Sequence, residues 1–485
     1  MSEPERDPDL LELEVGPVAH GGSCVARHDG RVVFVRHALP GELVLARLDR
    51  AEPPEPASAP GDEAADRRAG QRYWRADAVQ ILRASPDRVE PRCAVSGPGG
   101  CGGCDWQHAS LSGQRAGKAA VIAEQLKRLA GIILPELGLP EVVVEPVTGD
   151  DAGLGWRTRV RFTVNSGGRP GLRAHRSHVV VPVEHCPIAH PAVDAPDVGS
   201  RTWPRTASVE VVAAIPVAGQ PAADPLVIVE PAVEGAIVTV PPLAVSASVA
   251  RRTVQGLQRV RGRTWLEQQV LVDGEVRRFR VTGSGFWQVH PGAAQTLLDA
   301  VLAATDPQPG ERAVDLYSGV GLFVAGLAAR VGPVGAVLGI EGDSRSCADA
   351  RRSLHDVPQV TLEQGRVERV LGQATAGEPW RGRADVVVLD PPRSGAGRSV
   401  VEAVAALAPR VVGYVACDPA ALARDAATFA AIGYLLTGLR AFDLFPMTHH
   451  VECLATFSPR GHGTAPGDGP TPGDGLAEGG GGELS

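Results

Sequence analysis

The chain has 485 residues, more than one hydrophobic core usually supports, so two or three domains are expected. Its formal net charge of −8 does not exclude a nucleic-acid partner, because the negative charge lies at the two ends of the chain and the middle is neutral overall. No apolar run approaches the roughly 20 residues of a membrane span, and the acidic N-terminal stretch is unlike a signal peptide. We therefore expect a cytoplasmic protein whose eight cysteines are reduced, so that clustered cysteines indicate metal binding or catalysis.

Residues 10–84 alternate between apolar and polar positions and are broken by Gly-Gly, Asp-Gly and Pro-Gly turns, which predicts a small β-barrel. The segment 51–70 is rich in proline, alanine and charge and predicts a disordered insert in that barrel. Among small barrels, those of the oligonucleotide-binding type bind RNA through basic loops and aromatic platforms. Aromatic residues are scarce, and the candidates for base stacking are Phe34, Tyr73 and Trp74.

A cysteine cluster opens the central region, residues 85–285, for which a helix and then β-rich sequence are predicted. Cys93, Cys101 and Cys104 have the spacing C-x7-C-x2-C, and Cys186 is a candidate fourth ligand. Four cysteines can bind zinc or an iron–sulfur cluster, and the ligands alone do not choose between them.

Two stretches of the central region are rich in arginine, 156–178 and 251–263. Arginine binds phosphates with two parallel hydrogen bonds, so these stretches are candidates for RNA contacts. The alternative interpretation is that they are solvated faces of strands. The sequence by itself leaves both open.

From residue 286 to 460 the pattern alternates between strands and helices and predicts a doubly wound α/β sheet, followed by a disordered Gly-rich tail, 461–485. One strand ends at Asp315 and enters a turn that contains Gly319, and the next strand ends at Glu341. Such a turn lets the backbone approach a ligand, and the second acid can accept hydrogen bonds from ribose hydroxyls. The spacing fits a nucleoside ligand, either a dinucleotide or S-adenosylmethionine.

The stretch VVGYVACDPAALARD, residues 411–425, contains a cysteine between a strand and a helix. Asp418 suits the N-cap and Pro419 the first helical position, so Cys417 should lie at the carboxyl end of a strand, where open α/β sheets bind ligands. A helix N-terminus stabilises a thiolate, which favours a reactive Cys417. The alternative is a small buried thiol that only packs.

Several stretches in chain order resemble one family: GFWQVHPGAAQTLL, DLYSGVGLF, DPPRSG and YVACDPAALARD, followed by DLFPMTHHVE. Together they are similar to the S-adenosylmethionine-dependent RNA uracil-5-methyltransferases, and the resemblance covers residues 10–458. It implies a multidomain protein with an N-terminal TRAM domain, which is an oligonucleotide-binding-like barrel, a central α+β region that carries the cysteine cluster, and a C-terminal Rossmann-like methyltransferase domain.

The resemblance also assigns roles. It implies that Cys417 attacks carbon 6 of uracil and that Glu452 removes the proton from carbon 5 after methyl transfer. The positions that match cofactor-binding residues are Gln288, Asp315, Tyr317, Gly319, Glu341 and Asp390. In the subset with CGGC followed by DWQH-like sequence, the positions of Cys93, Cys101, Cys104 and Cys186 hold a [4Fe-4S] cluster.

The same subset implies action on ribosomal RNA, in the manner of the 23S ribosomal RNA enzymes, rather than on transfer RNA. We expect the protein to be a monomer. One departure matters: the family usually has Asn where this chain has Asp418, and an anion beside Cys417 would raise the pKa of the thiol. Two other functions remain open. Methylation of an exocyclic amine would need no cysteine, and a catalytically silent RNA-binding protein could keep the scaffold.

Overall fold

The computed structural model describes residues 9–49, 73–374 and 382–461. The predicted insert at 51–70 and the predicted tail, apart from residue 461, lie outside the described residues. None of the helices in the described ranges is long and apolar enough to cross a membrane.

The N-terminal region forms a five-stranded sheet in the order β1-β4-β5-β3-β2. Its strands are β1 (Leu10–Glu14), β2 (Cys24–His28), β3 (Arg31–Arg36), β4 (Leu43–Leu48) and β5 (Tyr73–Arg83). The chain between the edge strands β1 and β2 is joined to β2 by main-chain hydrogen bonds: Gly16 N donates to Val25 O at 2.7 Å, Val25 N donates to Pro17 O at 2.9 Å and Ala19 N donates to Ser23 O at 2.8 Å. The predicted small β-barrel takes the form of a half-barrel, because these local bonds rather than a continuous ladder connect its edges.

The central region contains a seven-stranded sheet in the order β13-β12-β11-β10-β7-β8-β9. Its strands are β7 (Arg159–Val164), β8 (Pro170–Arg173), β9 (Val180–Pro182), β10 (Thr206–Val212), β11 (Leu226–Pro231), β12 (Ser248–Thr253) and β13 (Gly256–Arg261). The short helix α2 (Pro191–Asp194) lies between β9 and β10. Trp156, Phe162 and Trp203 are fully buried in the core beneath this sheet.

Two parts of the central sequence pack on the C-terminal sheet instead. Helix α1 (Leu111–Gln125) continues as a π-helix (Leu126–Ala130) and is followed by a 3-10 helix (Leu134–Leu137). Strand β6 (Val144–Pro146) comes next and pairs with β21 (Tyr434–Asp443) of the C-terminal sheet. The hairpin β14 (Trp265–Val272) and β15 (Glu275–Thr282) buries Val270 and Phe279 in the core on the opposite face.

The C-terminal region is the predicted α/β sheet, with eight strands in the order β18-β17-β16-β19-β20-β22-β21-β6. Its own strands are β16 (Arg312–Leu316), β17 (Ala336–Glu341), β18 (Val360–Gln364), β19 (Val386–Leu389), β20 (Val411–Ala416), β21 (Tyr434–Asp443) and β22 (Glu452–Pro459). The helices are α3 (Ala293–Thr305), α4 (Leu322–Val331), α5 (Ser344–Ser353), α6 (Val367–Ala374), α7 (Arg398–Ala406) and α8 (Pro419–Ala431). Strands β16 to β20 run parallel, and β19 and β20 are buried at every position because helices cover both faces.

The strand order reverses between β16 and β19, and at such a point the loops on the two sides diverge and open a crevice at the carboxyl ends of the strands. Asp390 follows β19 directly, and Cys417 follows β20 directly. The fold therefore gathers the loops that carry the predicted site residues at one edge of the sheet.

Candidate active site

The register of three strands brings the predicted nucleophile and the predicted base together. β20 and β22 are antiparallel, and Ala416 at the end of β20 pairs with Cys453, so Cys417 and Glu452 are neighbours at the same edge. Asp390 follows β19, the parallel neighbour of β20 on its other side. The side chains of Cys417, Glu452 and Asp390 line one cleft of about 980 Å³.

The loop around Cys417 folds as its sequence predicts. The Asp418 side chain is the N-cap of α8, because its Oδ1 accepts a hydrogen bond of 2.8 Å from Ala421 N, and Pro419 is the first helical residue. This cap starts the helix immediately after the strand, which leaves Cys417 at the rim of the cleft.

The helix N-terminus is not the largest influence on the Cys417 thiol. Burial, followed by the nearby carboxyl groups of Glu452 and Asp390, raises the pKa of the Cys417 thiol to about 12, and Arg393 only partly opposes this. A helix terminus contributes ~0.3–1 kcal/mol, which is less than one pKa unit. The thiol is therefore protonated at neutral pH in the ligand-free cleft.

Two carboxyl groups of the cleft, those of Glu452 and Asp390, are also held toward their neutral forms. Burial and then the charge of Asp390 raise the pKa of Glu452 well above its usual value, and Glu452 is only 4% exposed. Burial raises the pKa of Asp390 to about 7. Arg393 is the cation that opposes the shift at Glu452. Acids in such surroundings can exchange protons near neutral pH, which suits a general base.

The predicted cofactor loop lines the same cleft. The Glu341 carboxylate accepts hydrogen bonds from Gly319 N at 2.8 Å and from Asp343 N at 2.6 Å, which fixes the turn between β16 and α4. Gly321 has a φ of 92°, and a Cβ there would lie 2.7 Å from the Leu354 side chain, so only glycine fits this turn.

Five of the six predicted cofactor residues line the cleft, namely Gln288, Tyr317, Gly319, Glu341 and Asp390. The sixth, Asp315, is fully buried and is not among the lining residues. Burial and then the charge of Asp390 raise the pKa of Asp315 well above its usual value, and a backbone hydrogen bond from Val324 partly opposes this. The cleft therefore offers a glycine turn at a helix N-terminus beside the Glu341 carboxylate, an arrangement that fits S-adenosylmethionine.

Several residues that line the cleft are not among the site residues predicted from the sequence. Phe286 is 67% exposed and presents an aromatic face, and the catalytic loop, residues 444–451 between β21 and β22, contributes His449 and His450. His450 lies 3.5 Å from Arg393. Phe286 lies in the stretch GFWQVHPGAAQTLL, and His449 and His450 lie in DLFPMTHHVE. Their place in these family-like stretches was the feature of the sequence that could have identified them.

The four predicted metal ligands come together in a second cavity of about 260 Å³, which all four cysteines line. They are free thiols, and burial raises the pKa of Cys104 to about 12 and that of Cys186 to about 11. No set of three or more His, Cys, Asp or Glu side chains in the described ranges is arranged around a single metal position. The lining includes three arginines, Arg157, Arg161 and Arg173, and no carboxylate or imidazole of a described residue.

The cavity and the cleft are joined by the residue that follows Cys104. Asp105 lines the cleft, and its Oδ2 lies 2.6 Å from Nδ1 of His449 on the catalytic loop. The adjacent Trp106 N donates to Met447 O at 3.0 Å, and its indole Nε1 donates to Gly22 O of the half-barrel at 2.8 Å. This segment therefore contacts both the catalytic loop and the N-terminal region.

Part of the predicted arginine-rich surface is occupied by acids of the central sheet. Arg159 and Arg252 both contact Glu210 at 2.6 Å, and Arg161 pairs with Glu230. These ion pairs link strands of the central sheet. Other basic residues lie around a small cleft between the half-barrel and the central region, whose lining includes Phe34, Arg36, Arg75, His175 and Arg176.

The comparisons with known proteins agree with this geometry. Residues 381–458 match the tRNA (uracil-5-)-methyltransferase family, and residues 10–57 match the TRAM domain. An uncharacterized RNA methyltransferase of Streptomyces avermitilis is 49% identical over 93% of this chain and 99% of its own length. One from Bifidobacterium longum is 36% identical over 94% of this chain and 98% of its own length.

Among solved structures, the fold is similar to that of the Pyrococcus abyssi tRNA (uracil-54, C5)-methyltransferase in complex with S-adenosyl-L-homocysteine, with a TM-score of 0.64 and 19% identity. The similarity covers 92% of this chain and all of that one. The family match, the identity to relatives along nearly the whole chain and the shared fold lead to one assignment. The chain belongs to the TRAM-containing family of S-adenosylmethionine-dependent RNA uracil-5-methyltransferases.

Proposed function

We propose that this enzyme methylates carbon 5 of a uridine through a covalent adduct, with Cys417 as the nucleophile and Glu452 as the base. The observation that carries the proposal is the juxtaposition of this thiol and this carboxyl across the β20–β22 pair, in the cleft that also contains Gly319 and Glu341. A covalent step is needed because carbon 5 of uracil is a poor nucleophile until carbon 6 has been attacked.

The proposed roles follow the geometry. The Cys417 thiol gives its proton to the nearby Asp390 carboxylate, whose pKa of about 7 allows exchange near neutral pH, and its sulfur adds to carbon 6. The enolate that results takes the methyl group of S-adenosylmethionine at carbon 5, and the Glu452 carboxylate then accepts the proton from carbon 5 so that the thiolate can leave. Asp390 and Arg393 set the charge around these two groups. The uridine must first be flipped out of its RNA, which costs a few kcal/mol, because a stacked base cannot reach a strand end in a crevice.

S-adenosylmethionine supplies the methyl group and a positive charge beside these acids. We propose that the lining residues Gln288, Tyr317, Gly319, Glu341 and Asp390 hold it, and that Asp315 supports the loop from below. Glu341 already fixes the turn through Gly319 N, so the site is preformed in the ligand-free protein. Replacing Glu341 with Gln should weaken cofactor binding in calorimetry without changing RNA binding.

The test of the covalent mechanism is Cys417→Ala. Methylation should be abolished while S-adenosylmethionine still binds, because the cofactor contacts come from other loops. Cys24→Ala is the matched control, since that thiol is buried in the half-barrel. RNA that contains 5-fluorouridine should form a denaturant-resistant adduct with the wild type, because fluorine cannot be removed as a proton.

The same assay separates the alternatives. Full activity of Cys417→Ala, or no adduct with fluorinated RNA, would overturn the mechanism. Mass spectrometry of the product nucleoside distinguishes methylation at carbon 5 from methylation of an exocyclic amine. A silent RNA-binding protein would bind RNA and yield no methylated nucleoside.

For the target, we propose ribosomal RNA, supported by the four-cysteine cavity and by the resemblance to the subset that carries such cysteines. Transfer RNA is the second candidate, because the Pyrococcus enzyme that shares this fold over nearly its whole length is a transfer RNA methyltransferase. Mapping carbon-5 methyluridine in a strain that lacks the gene decides between them. Loss confined to transfer RNA would overturn the preference for ribosomal RNA.

We propose that the four cysteines hold a [4Fe-4S] cluster and that the protein acts as a monomer. Four thiols around one cavity, with arginines that offset thiolate charge, fit the ligand chemistry of a cluster. Protein purified without oxygen should be brown and contain iron and acid-labile sulfide. A colourless protein with one zinc per chain would overturn the cluster, and light scattering that gives twice the chain mass would overturn the monomer.

A further inference from the structure

A histidine of the half-barrel reaches the residue beside the proposed nucleophile. His20 lies in the loop between β1 and β2, and its Nε2 is 3.0 Å from Oδ2 of Asp418. The other oxygen of Asp418, Oδ1, accepts the helix-capping bond from Ala421 N at 2.8 Å. One carboxylate therefore starts helix α8 with one oxygen and contacts a different domain with the other.

The loop that carries His20 is held in place independently of this contact. Gly22 O accepts the 2.8 Å hydrogen bond from the Trp106 indole, and Gly22 N donates to Ala19 O at 3.0 Å. A Cβ at Gly22 would lie 2.6 Å from Cβ of His449, so the loop packs directly on the catalytic loop. Changing His20 should therefore alter the charge at this position without moving the half-barrel.

The charge at this position affects Cys417. Asp418 belongs to the groups that raise the pKa of the Cys417 thiol, and its own pKa is lowered, with His20 the leading favourable contact, so it is ionised at neutral pH. Glu452 and Asp390 act in the same direction, and Arg393 opposes them. An anion fixed next to a nucleophilic thiol is unfavourable unless a cation offsets it.

His20 can supply that cation within a definite pH range. The hydrogen bond to Asp418 raises the pKa of His20 above 6.5, although burial, Arg128 and Arg424 oppose the rise. The positive charge is therefore present below about pH 6.5 and is lost as the pH rises through the raised pKa. The other basic side chains that line the shared cavity of about 170 Å³ are Lys118, Arg393, His449 and His450.

We propose that His20 is a positioning residue for the methyl-transfer site: it pairs with Asp418 and offsets the negative charge beside Cys417, so that the half-barrel takes part in catalysis as well as in RNA binding. The proposal rests on the assignment of Cys417 as the nucleophile. It explains how an aspartate can follow the nucleophile without suppressing its reactivity.

The experiment measures the rate of alkylation of Cys417 by iodoacetamide as a function of pH, with peptide mass spectrometry to separate it from the other seven cysteines. His20→Gln keeps a hydrogen-bond donor and removes the charge, so the alkylation rate of Cys417 should fall about 3- to 10-fold at the pH values where His20 is protonated and should match the wild type at higher pH, where His20 is neutral. Methylation near neutral pH should fall about 3- to 10-fold, in line with the smaller thiolate fraction. His28→Gln, another histidine of the half-barrel, should change neither.

Two further variants test the charge argument. Asp418→Asn should lower the alkylation midpoint, and adding His20→Gln to it should have no further effect, because there is no anion left to offset. His20→Lys should restore the wild-type rate and extend it to higher pH, because lysine keeps its charge there. If the contact between His20 and Asp418 were only structural, neither His20→Lys nor removal of the anion in Asp418→Asn would restore the reactivity of Cys417.

The outcomes separate this inference from the assignment on which it rests. An unchanged alkylation profile in His20→Gln, or equal effects of His20→Gln with and without Asp418→Asn, would overturn the role of His20. Full methylation by Cys417→Ala would overturn the nucleophile whatever the alkylation profile shows.

Discussion

The cleft that contains Cys417 and the four-cysteine cavity both contain cysteine thiols, but the chain constructs them in opposite ways. In the cleft, Cys417 and Glu452 are neighbours because β20 and β22 pair in one register. In the cavity, Cys93, Cys101 and Cys104 come from one loop segment and Cys186 from a connection about eighty residues later in the chain. Backbone pairing fixes the first site without any ligand, whereas the second depends on loops that a bound metal centre would hold together.

This difference predicts whether a substitution at each site affects mainly the reaction or mainly the local structure. A cleft built on paired strands tolerates loss of one side chain without loss of shape, so its variants should fail in chemistry. In the four-cysteine cavity, whose thiols come from separate loop segments, replacing one cysteine should disturb the local structure. Because Asp105 follows Cys104 and contacts His449, structural failure in the cavity should also reach the cleft.

The largest expected effect is at Glu452. Glu452→Gln should lower product release by ~10²–10⁴-fold, because the proton at carbon 5 has no acceptor and the thiol cannot leave. A protein–RNA adduct that carries the methyl group should accumulate on denaturing gels. Glu363→Gln, which changes an exposed acid on β18, is the control. Product release at the wild-type rate would remove Glu452 from the mechanism.

The second prediction concerns communication between the two regions. Cys104→Ala should reduce methylation about 10- to 100-fold, the usual range for loss of a group that orients a site, with little change in cofactor affinity. The physical reason is that Asp105 and Trp106 hold the catalytic loop through His449 and Met447. Hydrogen exchange should increase in residues 444–451. Wild-type exchange in that loop would show that the cavity and the cleft are independent.

The strand and helix around Cys417 could be predicted from the sequence more fully than the N-terminal half-barrel. Apolar runs and the cap and proline at Asp418 and Pro419 were enough to predict β20, α8 and the place of Cys417, because these features depend on local propensity. The half-barrel was harder, since alternating apolar and polar residues predict its strands but not how its edge strands β1 and β2 are connected.

Charges were the least predictable feature. The helix N-terminus at Cys417 suggested a lowered thiol pKa, but the sheet brings Glu452 and Asp390 beside it, and no local pattern reveals that neighbourhood. The contacts of His20 with Asp418 and of Asp105 with His449 join residues more than three hundred positions apart. Both depend on how separate regions pack, which a single sequence does not encode in any short motif.

The third prediction isolates the Asp105–His449 contact. Asp105→Asn should weaken a charge-assisted hydrogen bond by about 1.5–3 kcal/mol and loosen the catalytic loop without disturbing the cysteines. Because His449 holds the pKa of Asp105 below 3.8 despite burial, the wild-type contact should persist above about pH 4 and be lost at lower pH. Loop exchange in Asp105→Asn should resemble that of Cys104→Ala, and Asp29→Asn beside His28 is the control. A rigid loop in Asp105→Asn would assign the coupling to Trp106 instead.

The smallest expected effect tests whether the cleft is as well preformed as its strand register suggests. Asp425 on α8 holds the loop after Asp390, because its carboxylate accepts from Ala396 N and from the Tyr414 hydroxyl, both at 2.7 Å. Tyr414→Phe removes one of these donors and keeps the packed ring, so the free energy of unfolding should fall by about 1 kcal/mol.

Tyr434→Phe is the matched control, since its hydroxyl donates to Pro409 O at 3.0 Å, away from that loop. Both variants should lose similar stability in urea unfolding, but only Tyr414→Phe should slow methylation, by a few-fold, because only its loop carries Asp390 and Arg393. Equal methylation rates would mean that the remaining bonds of Asp425 suffice to position the loop. The strand ends would then hold the acids of the cleft without help from this hydroxyl, and the contrast with the loop-built cysteine cavity would become sharper.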